Sequence, residues 1–254
     1  MFIDNVTEQD MLRKFSIEGI DTFFLEKNDY PYLISESILI DLSARLLCQE
    51  VKSVLLIGPP GSGKTSLVRY FTNFIYQAKH PLLAKLRILS VNVPSILAGS
   101  EYRGSFEKKV MLLLTESQQY ENLVLFFDEA HSMRFTEFRE GIGLLDILKQ
   151  HMLKGNIRCI FATTNAETHH LERDSAFMRR VQKIELEPLT KEQQVLVLKE
   201  HHERMLTKHM SFGHECEPIA VGELEELINR VPLHKAIDTI DFEISKRILN
   251  GYVR

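Results

Sequence analysis

The nine residues GPPGSGKTS, Gly58 to Ser66, combine three glycines, a lysine and three hydroxyls. Gly58, Gly63, Lys64 and Thr65 stand at the spacing of a phosphate-binding loop. Gly61 and Gly63 allow backbone conformations that other residues avoid, so that N–H groups can converge on phosphate oxygens. Lys64 would reach the β- and γ-phosphates, and Thr65 would ligand Mg²⁺. A helix starting here would turn its positive dipole end toward the same anion. The whole run (Gly58, Pro59, Pro60, Gly61, Ser62, Gly63, Lys64, Thr65 and Ser66) is therefore expected to bind nucleotide. A glycine turn without a ligand is the plain alternative, and a strand before it with a helix after it argues against that.

LVLFFDEAH closes an apolar run with two carboxylates, Asp128 and Glu129. Strand ends form the ligand edge of an open α/β sheet. There Asp128 suits the shell of a magnesium ion, and Glu129 the polarisation of an attacking water. Alone, the pair reads equally well as solvated acids; beside the glycine loop the catalytic reading prevails. CIFATTN brings Thr163, Thr164 and Asn165 to another strand end. A hydroxyl or amide there could hold the water or the γ-phosphate, or simply make a turn. ERDSAFMRRVQ sets Arg179 beside Arg180. Adjacent arginines are usually solvated, but such a pair could also complete a neighbouring subunit's site.

These residues need a frame that brings them to one edge. SVLLIG, LRILSVNV, LVLFFDEA, IRCIFATT and VQKIEL are short apolar runs of strand length. Helical patterns lie between them, including one in which Phe106, Val110, Leu113 and Leu114 share a face. Alternating strands and helices predict a parallel sheet covered on both faces. After EPLT the strands stop, and helical patterns follow over Lys191 to about Lys208, Ala220–Arg230 and His234–Leu249. The expected organisation is a polar, partly helical lead-in over 1–30, an α/β core over 31–188 and a small all-helical domain over 189–254.

Composition fits this class. The 254 residues carry 35 acidic against 31 basic side chains, a net charge of −4 that gives no nucleic-acid or anionic-membrane footprint. No apolar run is long enough for a transmembrane helix, and MFIDNVTEQD is unlike a signal peptide. Cys48, Cys159 and Cys216 are too few and scattered for a disulfide framework, which points to a reducing cytoplasm. His201, His202, His209, His214 and Cys216 crowd one region at spacings that fit no usual zinc pattern.

In order and spacing, these blocks resemble the AAA+ family, and more narrowly the first nucleotide-binding ring of the Clp unfoldases ClpA, ClpB and ClpC. The likeness runs from about Tyr32 to Leu249. Its most diagnostic parts are AGSEYRGSFEKKV, ATT followed by RDSAFMRR, and LHKAIDTID. The resemblance implies a Mg²⁺-dependent ATP hydrolase with a P-loop core and a helical lid, working as a homo-oligomeric ring, a hexamer in that family. It implies that Thr164 is the sensor-1 residue and that Arg179 and Arg180 act in trans. It also implies that Tyr102, between Gly99 and Gly104, lines a central pore and grips a polypeptide. Without that resemblance, Tyr102 reads as a surface ring.

The chain departs from the family pattern in places. The adenine-side Ile-Gly-Arg falls on Leu33, Ile34 and Ser35, so its glycine and arginine are absent. The lid lacks the usual sensor-2 arginine, and Lys235 stands in that neighbourhood. No adaptor domain, coiled-coil insertion or second ring is expected in this chain. DEAH also occurs in one helicase class, but such enzymes need two motor domains; His131 is expected to start a helix. The function expected is work on a protein partner. A nucleic-acid-linked ATPase such as a helicase loader, or an assembly ATPase of a larger machine, is the alternative, and the acidic balance and the tyrosine loop weigh against nucleic acid.

Overall fold

A computed structural model of the chain describes residues 14–15, 21–25, 35–98, 103–136, 143–153, 157–211 and 217–252. Two compact units separate between Leu186 and Glu187.

The first unit is built on six strands: β1 (Thr22–Phe24), β2 (Ser53–Ile57), β3 (Arg87–Val91), β4 (Leu123–Phe127), β5 (Arg158–Thr163) and β6 (Gln182–Glu185). Their order across the sheet is β1-β3-β4-β5-β2-β6, parallel throughout except for β1, which runs antiparallel to β3. β2 and β4 are buried at every position. That burial explains their unbroken apolar sequences, because both faces of a parallel sheet are covered.

Alternate residues serve opposite layers. Leu55, Ile57, Leu125, Phe127 and Phe161 pack on α4 (Arg103–Ser117) and α5 (Leu144–Leu153). Val54, Leu56, Val124, Phe126 and Ile160 pack on α1 (Glu36–Leu47) and α2 (Lys64–Gln77). Each fully buried Leu, Ile or Phe contributes about 1.5–3 kcal/mol, as an upper bound on the transfer term. The expected face Phe106, Val110, Leu113 and Leu114 is wholly buried.

Two elements add to the sequence reading. The lead-in, expected to be partly helical, also holds a strand, β1; three residues are too short to show a period, and pairing with β3 decides the matter. A short helix, α3 (Val93–Ala98), precedes α4.

Strand register aligns the functional ends. Phe127 pairs with Phe161, and Ile57 pairs with both Thr163 and Glu185. β5 thus stands between the strand that enters the glycine loop and the strand that ends at Asp128.

The second unit contains α8 (Lys191–Ser211), α9 (Val221–Arg230) and α10 (Leu233–Tyr252). Its core is a separate cluster around Leu198, Leu224, Ile228, Ile240 and Ile244.

Candidate functional site

The chain leaves β2 at Ile57 and enters α2 at Lys64 through a loop that only its own residues allow. Gly61 has φ +77° and Gly63 φ +84°, both in the left-handed region that favours glycine. A Cβ at Gly58 would lie 2.6 Å from Ser62 Oγ and 2.9 Å from the Leu186 carbonyl oxygen. Gly63 caps α2 without a side-chain oxygen, which leaves first-turn N–H groups for an anion. The buried Ser62 hydroxyl has no hydrogen-bond partner. Pro60 is exposed at the tip, while Pro59 and Ser66 are half-buried. This cradle of tight backbone, glycine-capped helix start and unused hydroxyl fits a phosphate chain.

Lys64 folds back over the loop, and its Nζ donates to the carbonyls of Gly58 (2.8 Å) and Pro59 (3.0 Å). Burial lowers its amine below the ordinary lysine value, while the carboxylates of Asp128 and Glu167 oppose that shift. Thr65, one residue on, donates its hydroxyl to Asp128 Oδ2 at 2.5 Å. The other carboxylate oxygen of Asp128 accepts from the backbone N–H of Glu129 at 3.0 Å.

Glu129 is the one non-glycine residue with positive φ (+49°) among the described residues, and it is exposed. Its carbonyl accepts from Ser132 N in the 3₁₀ turn Ala130–Thr136. A left-handed glutamate costs energy unless its surroundings hold it there, and such outliers cluster at functional sites.

Magnesium is a matter of donor chemistry. Thr65 and Asp128 offer adjacent hydroxyl and carboxylate oxygens. The described residues contain no group of three or more His, Cys, Asp or Glu able to hold a metal. Mg²⁺ commonly takes one or two protein oxygens, with phosphates and waters completing its octahedron. The pair fits an ion that arrives with a nucleotide.

At the end of β5, Thr163 is buried, with its hydroxyl 3.5 Å from His131 Nδ1. Thr164 caps α6 (Asn165–Glu172) and donates to Glu167 Oε2 at 2.7 Å. The same carboxylate oxygen lies 3.0 Å from His131 Nδ1. Glu167 was absent from the residues picked out by sequence, yet it touches the groups at two strand ends. The signal available was its spacing, Thr164-x-x-Glu167, which is that of a capping box. His131 is the second residue of the 3₁₀ turn, which begins at Ala130, and its ring also approaches this carboxylate.

The arginines sit elsewhere in the same unit. Arg179 is exposed and donates to the Ser175 carbonyl at 3.2 Å. Arg180 donates to the Ala176 carbonyl, and its buried Nε has no partner. Among the described residues neither pairs with a carboxylate. Lys235 is exposed on α10 in the second unit. Leu33, Ile34 and Tyr102 lie outside the described residues.

The histidines of α8 have local partners. His202 is buried and accepts from Ile219 N at 2.9 Å through Nε2, and His201 Nδ1 lies 2.8 Å from Arg204. Cys159 is a buried thiol, pushed up to about 12 by burial despite a hydrogen bond with Ser53. No helix among the described residues is long and apolar enough to cross a membrane.

A parallel sheet in this strand order, with a glycine loop entering a helix beside a carboxylate at a nearby strand end, defines a phosphate-loop α/β core. The chain belongs to the ATPase family associated with various cellular activities (AAA), whose model matches residues 54–189. It is 33% identical over 210 residues to the chaperone protein ClpB of Aquifex aeolicus, covering 80% of this chain and 21% of that one. It is 33% identical over 203 residues to the ATP-binding subunit ClpC of the ATP-dependent Clp protease of Staphylococcus epidermidis, covering 78% and 25%. The S. cerevisiae Hsp104–ADP complex superposes with a TM-score of 0.73 at 25% identity, over 87% of this chain and 39% of that one. The chain thus spans only a quarter or less of the length of these two Clp relatives.

Proposed function

We propose that this chain is a Mg²⁺-dependent ATP hydrolase of Clp type, working in a reducing cytoplasm. It acts as a homo-oligomeric ring, a hexamer by family resemblance, and couples hydrolysis to remodelling or translocation of a protein partner. One observation carries the reading: Thr65 and Asp128 meet at 2.5 Å beside a loop in which the Lys64 amine donates to two backbone carbonyls.

In this mechanism the loop N–H groups and the α2 N-terminus hold the phosphates. Lys64 leaves the carbonyls of Gly58 and Pro59 for the β- and γ-phosphates. Thr65 and Asp128 hold Mg²⁺, which when bound neutralises charge on the phosphates. Glu129 orients and polarises the water that attacks the γ-phosphorus, and Thr164 steadies the γ-phosphate side. Leu33 and Ile34 flank the adenine, and Lys235 serves as the sensor-2 cation. Arg179 and Arg180 stabilise the transition state in the neighbouring protomer. The complex of the similar Hsp104 with ADP supports a nucleotide ligand.

Tyr102 is the proposed grip on the partner, through apolar contact of its ring. The test uses a labelled, permanently unfolded polypeptide as the probe. Glu129→Gln in ATP should bind it stably, and adding Tyr102→Ala should abolish that binding while nucleotide binding persists. Tyr102→Phe should behave like the parent. Equal polypeptide binding with and without Tyr102 would overturn the threading assignment.

A further inference from the structure

Lys149 sits on α5, and Asp174 stands just before the short helix α7 (Ser175–Met178). The Lys149 Nζ lies 2.5 Å from Asp174 Oδ2 and 2.6 Å from Asp146 Oδ1. Side-chain exposures of 16% for Lys149 and 14% for Asp174 make this an inward pair, unlike the other lysine–carboxylate contacts among the described residues, each of which has a more exposed carboxylate. The second oxygen of Asp174 accepts from Phe177 N at 2.9 Å and caps α7. One carboxylate therefore ties α5 to the start of the segment that ends in Arg179 and Arg180.

The other side of that segment is fixed by aromatic packing. Phe177 is wholly buried, and its ring meets Phe161 edge-on at 5.1 Å and 76°. Phe161 stacks on Phe127 at 5.4 Å and 13°. Phe127 directly precedes Asp128, and Phe161 lies two residues before Thr163. The arginine segment is thus bound by a contiguous series of rings to two of the strand ends that form the site. The backbone continues the restraint, because Arg179 N bonds Ser175 O and Arg180 N bonds Phe177 O at 2.8 Å.

We propose that Lys149, acting through Asp174, is a positioning residue for Arg179 and Arg180, holding them in fixed register to the protomer's own nucleotide site so that they enter the next one at a set angle. This rests on the trans reading of the two arginines given above. The charge states agree with a locked pair. Burial works against the Lys149 amine, but its bonds to Asp146 and Asp174 hold it above the ordinary lysine value. Burial raises the Asp174 carboxyl less than Lys149 and the Phe177 N–H lower it.

Asp174→Asn separates positioning from folding, because asparagine caps a helix as well as aspartate and removes only the charge. The experiment mixes full-length protomers and measures ATP hydrolysis. Lys64→Ala with Arg180→Ala is the control, since each active interface pairs an intact site with an intact arginine. In the first arm Asp174→Asn is added to the Lys64→Ala protomer, which supplies the arginine. In the second arm it is added to the Arg180→Ala protomer, which supplies the site. The first arm should lose about a hundredfold relative to the control, the scale of a 1 Å misplacement, and the second arm should match the control. Lys149→Arg in place of Asp174→Asn should restore the first arm. Equal activity in the two arms, whether both high or both low, would overturn the positioning role. A control mixture without recovered activity would instead overturn the trans reading, and this proposal with it.

Discussion

Thr65 Oγ1 and Asp128 Oδ2 lie 2.5 Å apart although 63 residues separate them in the chain. The contact joins the first turn of α2 to the end of β4. Thr65→Ala removes one oxygen and leaves Asp128 bonded to the Glu129 N–H. The Mg²⁺ concentration for half-maximal hydrolysis should rise about tenfold or more, by analogy with the loss of supporting groups at other metal sites. An Mg²⁺ titration of activity measures this, and an unchanged midpoint would remove Thr65 from the metal shell.

Gly58→Ala places a methyl 2.9 Å from the Leu186 carbonyl. Backbone must shift to admit it. The core unit should lose about 1–3 kcal/mol, as overpacked sites do, and phosphate binding should weaken because the loop entrance moves. Chemical denaturation with and without ATP reads both effects. Wild-type stability would show that the loop is looser than its contacts indicate.

Glu167 accepts from Thr164 and approaches His131 with one oxygen, and its charge reaches Lys64. Glu167→Ala should leave ATP bound as tightly as before or more so, since a negative charge near the phosphates is gone. Turnover should fall about tenfold, the scale of one charged hydrogen bond. A Kd and kcat measured together decide the matter; a weaker Kd with unchanged kcat would contradict this role.

Much of this was legible in the sequence because buried parallel strands and a glycine loop leave unambiguous patterns. β2 and β4 are apolar at every position, and Gly61 and Gly63 adopt the left-handed backbone their type allows. β1 was not legible, since three residues show no period and its existence depends on the β3 edge. Glu167 was hidden for a different reason. Its importance comes from β5 standing beside β4, which brings Thr164 and His131 to one carboxylate, and no local pattern records a pairing between strands. The Lys149–Asp174 pair was hidden likewise, as its members lie 25 residues apart.

His202 links α8 to the segment before α9 through the Ile219 N–H, a bond that requires an unprotonated ring nitrogen. Burial holds its value below that of an ordinary histidine, with Glu203 opposing and Arg247 adding; His201 is lowered too, by burial and Arg204. Below about pH 6.5 the unfolded chain then binds more protons than the folded helical unit. That unit's stability should be full above this pH and decline as pH falls. In His202→Gln, whose amide oxygen can still accept, the melting temperature should fall less steeply between about pH 6.5 and 5. Identical slopes would show that His202 does not carry the effect.

The central claim is that Glu129, held with positive φ beside a carboxylate already committed to Thr65, activates water at a nucleotide gripped by Lys64. Single-turnover hydrolysis of radiolabelled ATP by the oligomer, for wild type and Glu129→Gln, tests it most directly. The account predicts that Glu129→Gln binds ATP with wild-type affinity and cleaves it at least about a hundredfold more slowly, the usual weight of a positioned base. Cleavage by Glu129→Gln at the wild-type rate would contradict it.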